Sequence, residues 1–521
     1  MVVWLTRCVT VNVSEYVRDA ADRRPDAVAL VEHRAGRREL TWRGLDEESD
    51  SLARALSARG LVAGQRVAVA MANRVELVVS YFGILRGGMV AVLLDPQAPA
   101  ADLGRMLGDT VARVVLCDDT AVDRVRAVAH GLDDVLVVVA GARTHRDEVA
   151  FDSFLTGAAV VPPAAPRDPE TIAVILHPAG SRAGVMLSHR ALVAGIEQLA
   201  RLDPPLMTAD DVVLGALPMH QAHGLNAVMG QAARQAATVR LVAGLGTDAL
   251  LDVVADERIT IVPVVPQVVA AWSRHHDLRA RLGSARRILS GGLEPQLAEA
   301  FASSSGHVVE QGYGLDEALV VSTTWPSQRS GDVVPRPGTA GLPLSGVEVR
   351  IVEDGVEAAA GDPAEVWVRG ANLFSGRWPH GADGPRSDGW YPTGDVGFVD
   401  VDGELTLVDR LRELVVVSGF HVYPSEVEEV VAEVPGVAEV AAVGVPDELS
   451  GEAVAVFVVA DDGADGLRER VAAHCRGRLA RFKWPRVVIV VERLPTSATG
   501  EVARGRLRAM ASGESSAQGS P

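Results

Sequence analysis

Lysine is nearly missing from this chain: Lys483 is the only one in 521 residues, so arginine carries almost all of the positive charge. That replacement is neutral on a solvated surface but not where chemistry needs a compact ammonium. Cysteine is also scarce. Cys8, Cys117 and Cys475 are far apart and odd in number, with no CxxC spacing, so neither a disulfide framework nor a zinc site is suggested and a reducing cytoplasm fits. Aromatic residues make up only 4%. No run of 18 apolar residues is present, and the opening MVVWLTRCVTVNV lacks a signal-peptide layout, so neither membrane insertion nor secretion is expected. No block of Lys and Arg interrupts a net charge of −18, which argues against nucleic-acid and anionic-membrane partners.

What is present is an ordinary globular composition, 48% hydrophobic and 23% charged, in a chain too long for a single core. Short β-branched runs alternate with helical patterns from residue 14 to about 330: VAVAM, then VELVVSYFGIL, then VAVLL, and later VVLG, VRLV, ITIVPVV and RRILS. This punctuation predicts a parallel-rich α/β domain. From Gly338 the texture changes to short strands and turns, a small β-rich subdomain. Residues 409–510 then read as a compact α+β domain, and ASGESSAQGSP over 511–521 as a disordered tail.

The most informative stretch is TIAVILHPAGSRAGVMLSHRAL, residues 171–192. Ile172 to Leu176 reads as a buried strand, and Ser188 as the N-cap of a helix with Leu192, Ile196 and Leu199 on one face. Between them lies a loop with Gly180, Ser181, Arg182, Ala183 and Gly184. Strand, glycine loop and helix together form a geometry that cradles phosphate, although the spacing is not a Walker A. Taken alone, the stretch reads more readily as an ordinary turn.

Other marks follow in a fixed order: SGG with Gly291 and Gly292, YGLDE from Tyr313 to Glu317, WYPTGD ending at Asp395, DR at Asp409 and Arg410, VVVSGFHVYPSEVE, and LPTSATGEVARGRLR. With LTWRGLDEESDSLARAL, LRGGMVAVLLDP and EVWVRGANLFSGRW, they make the chain resemble the adenylate-forming superfamily of acyl-CoA synthetases, adenylation domains and luciferases, from about residue 14 to 508. The resemblance implies a large domain over 14–408, with two parallel-rich α/β sheets and a β subdomain at about 338–408, followed by a small mobile α+β domain over 409–510. It also implies a reaction in two halves: a carboxylate attacks the α-phosphate of ATP, and a thiol of CoA or of a carrier protein's phosphopantetheine then displaces AMP.

The resemblance carries roles to individual residues. Asp395 would bind the ribose hydroxyls, Glu317 would hold Mg²⁺, and Arg410 would meet ribose or phosphate. Tyr313 and Gly314 would border the adenine, with Gly291 and Gly292 letting backbone approach. Gly180, Ser181 and Arg182 would serve the phosphates. His220, His223 and Gly224 would shape the acid pocket. Arg412 falls at the inter-domain hinge, and Gly419 lines the thiol channel. No aspartate stands in LPMHQAHGLN to pair an α-ammonium, so a non-amino acid such as a fatty or aryl acid is expected.

Two departures stand against these matches. Ala183 occupies the place of the loop lysine, and Glu501 the place of the C-terminal lysine that contacts the reacting carboxylate and α-phosphate. Loss of one well-placed cation costs about 2–4 kcal/mol of transition-state stabilisation. The alternatives are therefore a ligase working through arginine, a degenerate ligase kept for binding, or an enzyme acting on a preformed acyl-adenylate or acyl-thioester. In Asp316 a carboxylate stands where the family has threonine, an expected further negative charge beside the phosphates.

Overall fold

The computed structural model describes residues 11–515, apart from 34–35, 130, 133–134, 142–143, 157–167, 179–182, 326–337, 411–412, 418–419, 448–449, 462–465 and 497–501. The chain packs as two compact units, Met1–Val349 with Val368–Tyr391, and Arg350–Trp367 with Pro392–Pro521. The division thus falls inside the β-rich stretch.

In the first unit the apolar runs pair as expected of an α/β fold. A seven-stranded sheet has the order Val149–Ala150, Leu136–Ala140, Val114–Asp118, Arg66–Ala70, Val90–Leu93, Ile172–Leu176 and Val185–Ser188. All its neighbours are parallel except the last pair. A nine-stranded sheet places Val212–Gly215, Thr238–Leu241, Ile261–Pro263, Arg287–Ser290 and Val309–Leu315 in parallel, with antiparallel strands at both edges. One core joins the two sheets, because Val67, Val69 and Leu93 of the first pack in the same cluster as Leu30, Val213 and Val239 of the second.

The helix Val75–Arg86 lies in that core with all of its residues buried. A helix enclosed on every side must be apolar or must pair its charges. Both conditions hold: Glu76 accepts from Arg74 at 2.6 Å and Arg38 at 2.8 Å, and Arg86 donates to Asp46 at 2.5 Å and Asp50 at 3.1 Å. Gly83 sets its approach to the helix Trp42–Ala58, since a Cβ there would lie 2.8 Å from both Leu52 Cβ and the Ser49 carbonyl.

The second unit contains most of a five-stranded sheet, ordered Val356–Glu357, Val347–Glu353, Ala364–Gly370, Tyr391–Val399 and Leu405–Arg410. Beyond it Val437–Asp447 and Gly451–Ala460 form an antiparallel pair, onto which Val487–Val491 adds in parallel. Alternation sends Val454, Val456 and Val458 to the helices Pro424–Ala432 and Leu467–Arg478, and Ala453, Ala455 and Phe457 to the other face, with Leu507 and Ala511. Leu507 and Ala511 belong to a helix that runs Arg504–Ser515. The expected disordered tail from 511 therefore starts inside a helix, whose apolar side is held by that face; residues 516–521 lie outside the described residues.

The close approach at Gly83 yields a stability prediction. Gly83→Ala overpacks two buried helices and lowers unfolding free energy by about 1–3 kcal/mol. Thermal unfolding reads the loss, and an unchanged midpoint contradicts the proposed packing constraint.

Candidate functional site

The expected strand, loop and helix around residue 180 need a correction. Val185–Ser188 is a second strand, antiparallel to Ile172–Leu176 with Leu176 opposite Val185 and Ile175 opposite Met186. The glycine loop therefore closes a β-hairpin, and only then does the helix His189–Ala200 begin, capped as expected by the Ser188 hydroxyl accepting from Ala191 N at 3.3 Å. Gly184 is obligatory at the hairpin's closing end. A Cβ there would meet Ile175 Cγ2 at 2.4 Å and approach His177 Cε1 at 3.2 Å. Ala183 leaves this end without a charge. Gly180, Ser181 and Arg182 lie outside the described residues.

His177 begins the loop, and both of its ring nitrogens are buried without a hydrogen-bond partner. Burial, reinforced by the Arg105 charge, lowers its pKa to about 4, so the ring is neutral.

The segment 374–378 continues the sheet beyond the hairpin. Ser375 N donates to Met186 O at 2.8 Å, Met186 N to Gly376 O at 3.1 Å, and Trp378 N to Gly184 O at 2.8 Å. Gly376 adopts φ +96°, and a Cβ would clash with Gly381 O at 2.3 Å, so the chain can turn here only with glycine. Arg377 stands opposite Val185. Its Nη2 donates to Glu317 Oε1 at 2.5 Å, its guanidinium carbon lies 5.7 Å from the centre of the Phe374 ring, and its Nη1 is buried with no partner. Phe374 N completes the link by donating to Glu317 O at 2.8 Å.

This geometry bears on Mg²⁺. The carboxylate expected to hold the ion here faces a guanidinium, and among the described residues no group of three acidic, histidine or cysteine side chains is placed to hold a metal by itself. A Mg²⁺ ion on a nucleotide takes one or two carboxylates together with phosphate oxygens, a chemistry that a single carboxylate such as Glu317 fits. The nearby Asp316 also differs from expectation. Its Oδ1 accepts from Ala222 N at 2.9 Å, and burial raises its pKa to about 6, so it ties the turn after Leu315 to the segment before His223. Its carboxylate is spent on that tie.

The glycines of the SGG and YGL marks are close-contact positions. A Cβ on Gly291 would lie 2.5 Å from Gly312 O, and one on Gly314 2.0 Å from Leu319 O. Gly292, at φ +66°, faces open space. Tyr313 is buried on the strand Val309–Leu315 opposite Ser322. His223–Gly230 is a π-helix, a widened turn that often accompanies functional sites. Gly224 lets it close onto Pro218, whose carbonyl a Cβ would meet at 2.3 Å. Burial lowers the pKa of both His220 and His223. His223 lines a narrow crevice with Ala222, Asn226, Ala227, Leu319 and Val320.

In the second unit Asp395 is buried and stands opposite residue 410 on the neighbouring strand. Within the same strand Gly394 adopts φ +75°, and the Thr393 hydroxyl accepts from Asp395 N at 3.1 Å. Only the backbone of Arg410 is described; Arg412, Gly419 and Glu501 lie outside the described residues. Two cations of this region, the chain's one lysine and an arginine of the last motif, are already paired. Lys483 Nζ donates to Glu426 at 2.6 and 2.5 Å, while Arg504 meets Glu413 at 2.9 Å and Glu428 at 2.5 Å.

Sequence reasoning missed His177 and Arg377. The available signal for the second was the arginine between glycine and tryptophan in LFSGRW.

With the geometry in place, comparison with known proteins is direct. The AMP-binding enzyme family matches residues 17–378, and the AMP-binding enzyme C-terminal domain matches 426–501. The chain is similar to a 4-coumarate–CoA ligase-like protein of Oryza sativa, 31% identical over 517 residues that cover 96% of this chain and 92% of the relative. A long-chain-fatty-acid–CoA ligase of Escherichia coli is 31% identical over 520 residues, 91% of each chain. Among solved structures, ATP-bound MatB from Rhodopseudomonas palustris superposes with a TM-score of 0.85 at 29% identity, covering 96% of this chain and 99% of that one.

The buried imidazole at the loop generates a pH prediction. His177 has a folded pKa below its unfolded value, so the unfolded state binds more protons and stability falls as pH drops from about 6.5 through 4. His177→Phe removes that contribution. Its thermal midpoint falls less steeply over this window than that of the wild type, and an identical slope contradicts burial of a neutral ring.

Proposed function

Because the chain belongs to the family of AMP-binding enzymes, we propose that it is an ATP-dependent ligase joining a fatty or aryl acid to a thiol through an acyl-adenylate. The observation that carries this reading is similarity along almost the whole chain to carboxylic acid–CoA ligases, 31% over 96% of its length for one of them. In the first half-reaction the acid's carboxylate attacks the α-phosphate and expels pyrophosphate. In the second, the thiol attacks the acyl carbon and AMP leaves.

Each part falls to residues of this chain. Tyr313 offers a flat wall to adenine, and Gly291 and Gly314 keep the neighbouring backbone free of side chains. Asp395 accepts from the ribose hydroxyls, with Arg410 beside it in sequence register. Gly180 and Ser181 serve the phosphates. His220, His223 and Gly224 border the acid; LPMHQAHGLN carries no aspartate to pair an ammonium group, which suits an acid without one. Arg412 as hinge and Gly419 as channel wall complete the thiol half. CoA is the thiol of the named relatives, and we take it as the first candidate, ahead of a carrier protein's phosphopantetheine. Buried, unpaired Cys117 and Cys475 suit a reducing cytoplasm, and no described helix is long and apolar enough to cross a membrane.

The test is pyrophosphate release from ATP with a panel of fatty and aryl acids, followed by mass detection of the CoA thioester. Acid-dependent release followed by thioester is expected. ATP binding with no release for any acid, at protein concentrations giving single turnover, replaces this reading with that of a degenerate ligase.

A further inference from the structure

We propose that Glu365 is a positioning residue for the nucleotide's ribose: its carboxylate holds the main chain at Gly394 in the conformation from which Asp395 meets the ribose hydroxyls. This rests on the reading above in which Asp395 accepts from the ribose, and it names the group that sets Asp395 in place.

The main chain around Asp395 is anchored at three successive residues. Strand Ala364–Gly370 lies beside Tyr391–Val399 in the five-stranded sheet. Glu365 Oε1 accepts from Gly394 N at 3.2 Å, and the Thr393 hydroxyl donates to Val366 O at 2.8 Å while accepting from Asp395 N at 3.1 Å. Residues 393–395 are therefore tied through residues 365 and 366. Gly394 explains why a side chain is needed for this. At φ +75° it leaves the extended conformation of its strand, and its N–H is met by a carboxylate. A Cβ at this position would face open space, so glycine is required by the dihedral angle and not by a close neighbour.

Glu365 is itself held. Its Oε2 accepts from Trp367 Nε1 at 2.8 Å, two residues along the same strand and so on the same face. Trp367 is buried, and the Arg350 guanidinium carbon lies 4.9 Å from the centre of its ring. Each oxygen of Glu365 thus has an N–H donor, and the side chain cannot turn away without breaking one of the two bonds. A carboxylate suits this place better than an amide, which offers a single acceptor oxygen to two donors. Such fixing matters for a vicinal diol. Two hydrogen bonds form together only when the acceptor stands within about 0.5 Å of its best position. Glu365 acts on the nucleotide through Asp395.

Calorimetric titration of the full chain with ATP and with 2′,3′-dideoxy-ATP, in one buffer containing Mg²⁺, separates a ribose effect from a general one. Wild type binds ATP about 10-fold more tightly than the dideoxy analogue. Glu365→Ala weakens ATP about 10-fold and leaves the analogue within about twofold. Glu365→Met, similar in length and without an acceptor oxygen, gives the same selective loss and decides the matter if the alanine variant does not fold. Glu365→Gln, whose one oxygen accepts from Gly394 N, keeps ATP within about threefold of wild type. Equal loss for both nucleotides, no loss in the folded Ala or Met variant, or a Gln variant as weak as these overturns the role of Glu365, while the ribose role of Asp395 and the ligase reading stand. Wild type that binds the two nucleotides equally overturns the ribose role of Asp395 and this inference with it, whereas thioester formation still judges the ligase reading. Wild type that binds neither overturns the ATP-dependent reading as well.

Discussion

Main-chain pairing of residues 375–378 with 184–186 is the constraint on which the candidate site depends. It joins the glycine hairpin to a segment almost two hundred positions later, and Phe374 N and Arg377 extend the link to Glu317. Three regions are fixed together without relying on the sequence of the loop between 177 and 184. Departures inside that loop therefore leave its base intact. The Asp316 carboxylate, hydrogen-bonded to Ala222 N, carries the connection on to the π-helix that begins at His223.

The near loss of lysine changes what this frame can do. An ammonium is compact and mobile on its stem, whereas a guanidinium is planar, always charged and most effective when its fork is held. Arg377 is held, by Glu317 on one side and the Phe374 ring on another. The one lysine is bound to both oxygens of Glu426, and Arg504 is bound to Glu413 and Glu428, so both stabilise the second unit. These three cations are each held in an ion pair.

Much of the fold was legible because its local signals are strong. Buried parallel strands such as Val67–Val69 and Val114–Leu116 are β-branched runs bounded by glycine or charge, and Ser188 caps its helix as read. The hairpin was not legible. Val185, Met186 and Leu187 are too short a run to declare a strand, and antiparallel pairing with Ile172–Leu176 is a matter of register, which no local pattern contains. The helix through Ser515 was missed for a similar reason: its polar composition reads as tail, and Leu507 and Ala511 become anchors only once a sheet face meets them. Among site residues, close approach was expected at Gly291 and Gly292; a Cβ on the first would lie 2.5 Å from Gly312 O, whereas the second faces open space, and the tight contacts at Gly314 and Gly224 were not read from the sequence. The Glu317–Arg377 pair spans 60 residues and joins an acid matched by motif to an arginine outside every motif core.

The central claim is that this chain forms an acyl-adenylate although Ala183 and Glu501 stand where the family has lysine. Exchange of radiolabelled pyrophosphate into ATP reports that step alone, because exchange requires reversible formation of the acyl-adenylate. The account predicts exchange that depends on an added carboxylic acid. Exchange absent from wild type with every acid of a broad panel contradicts it.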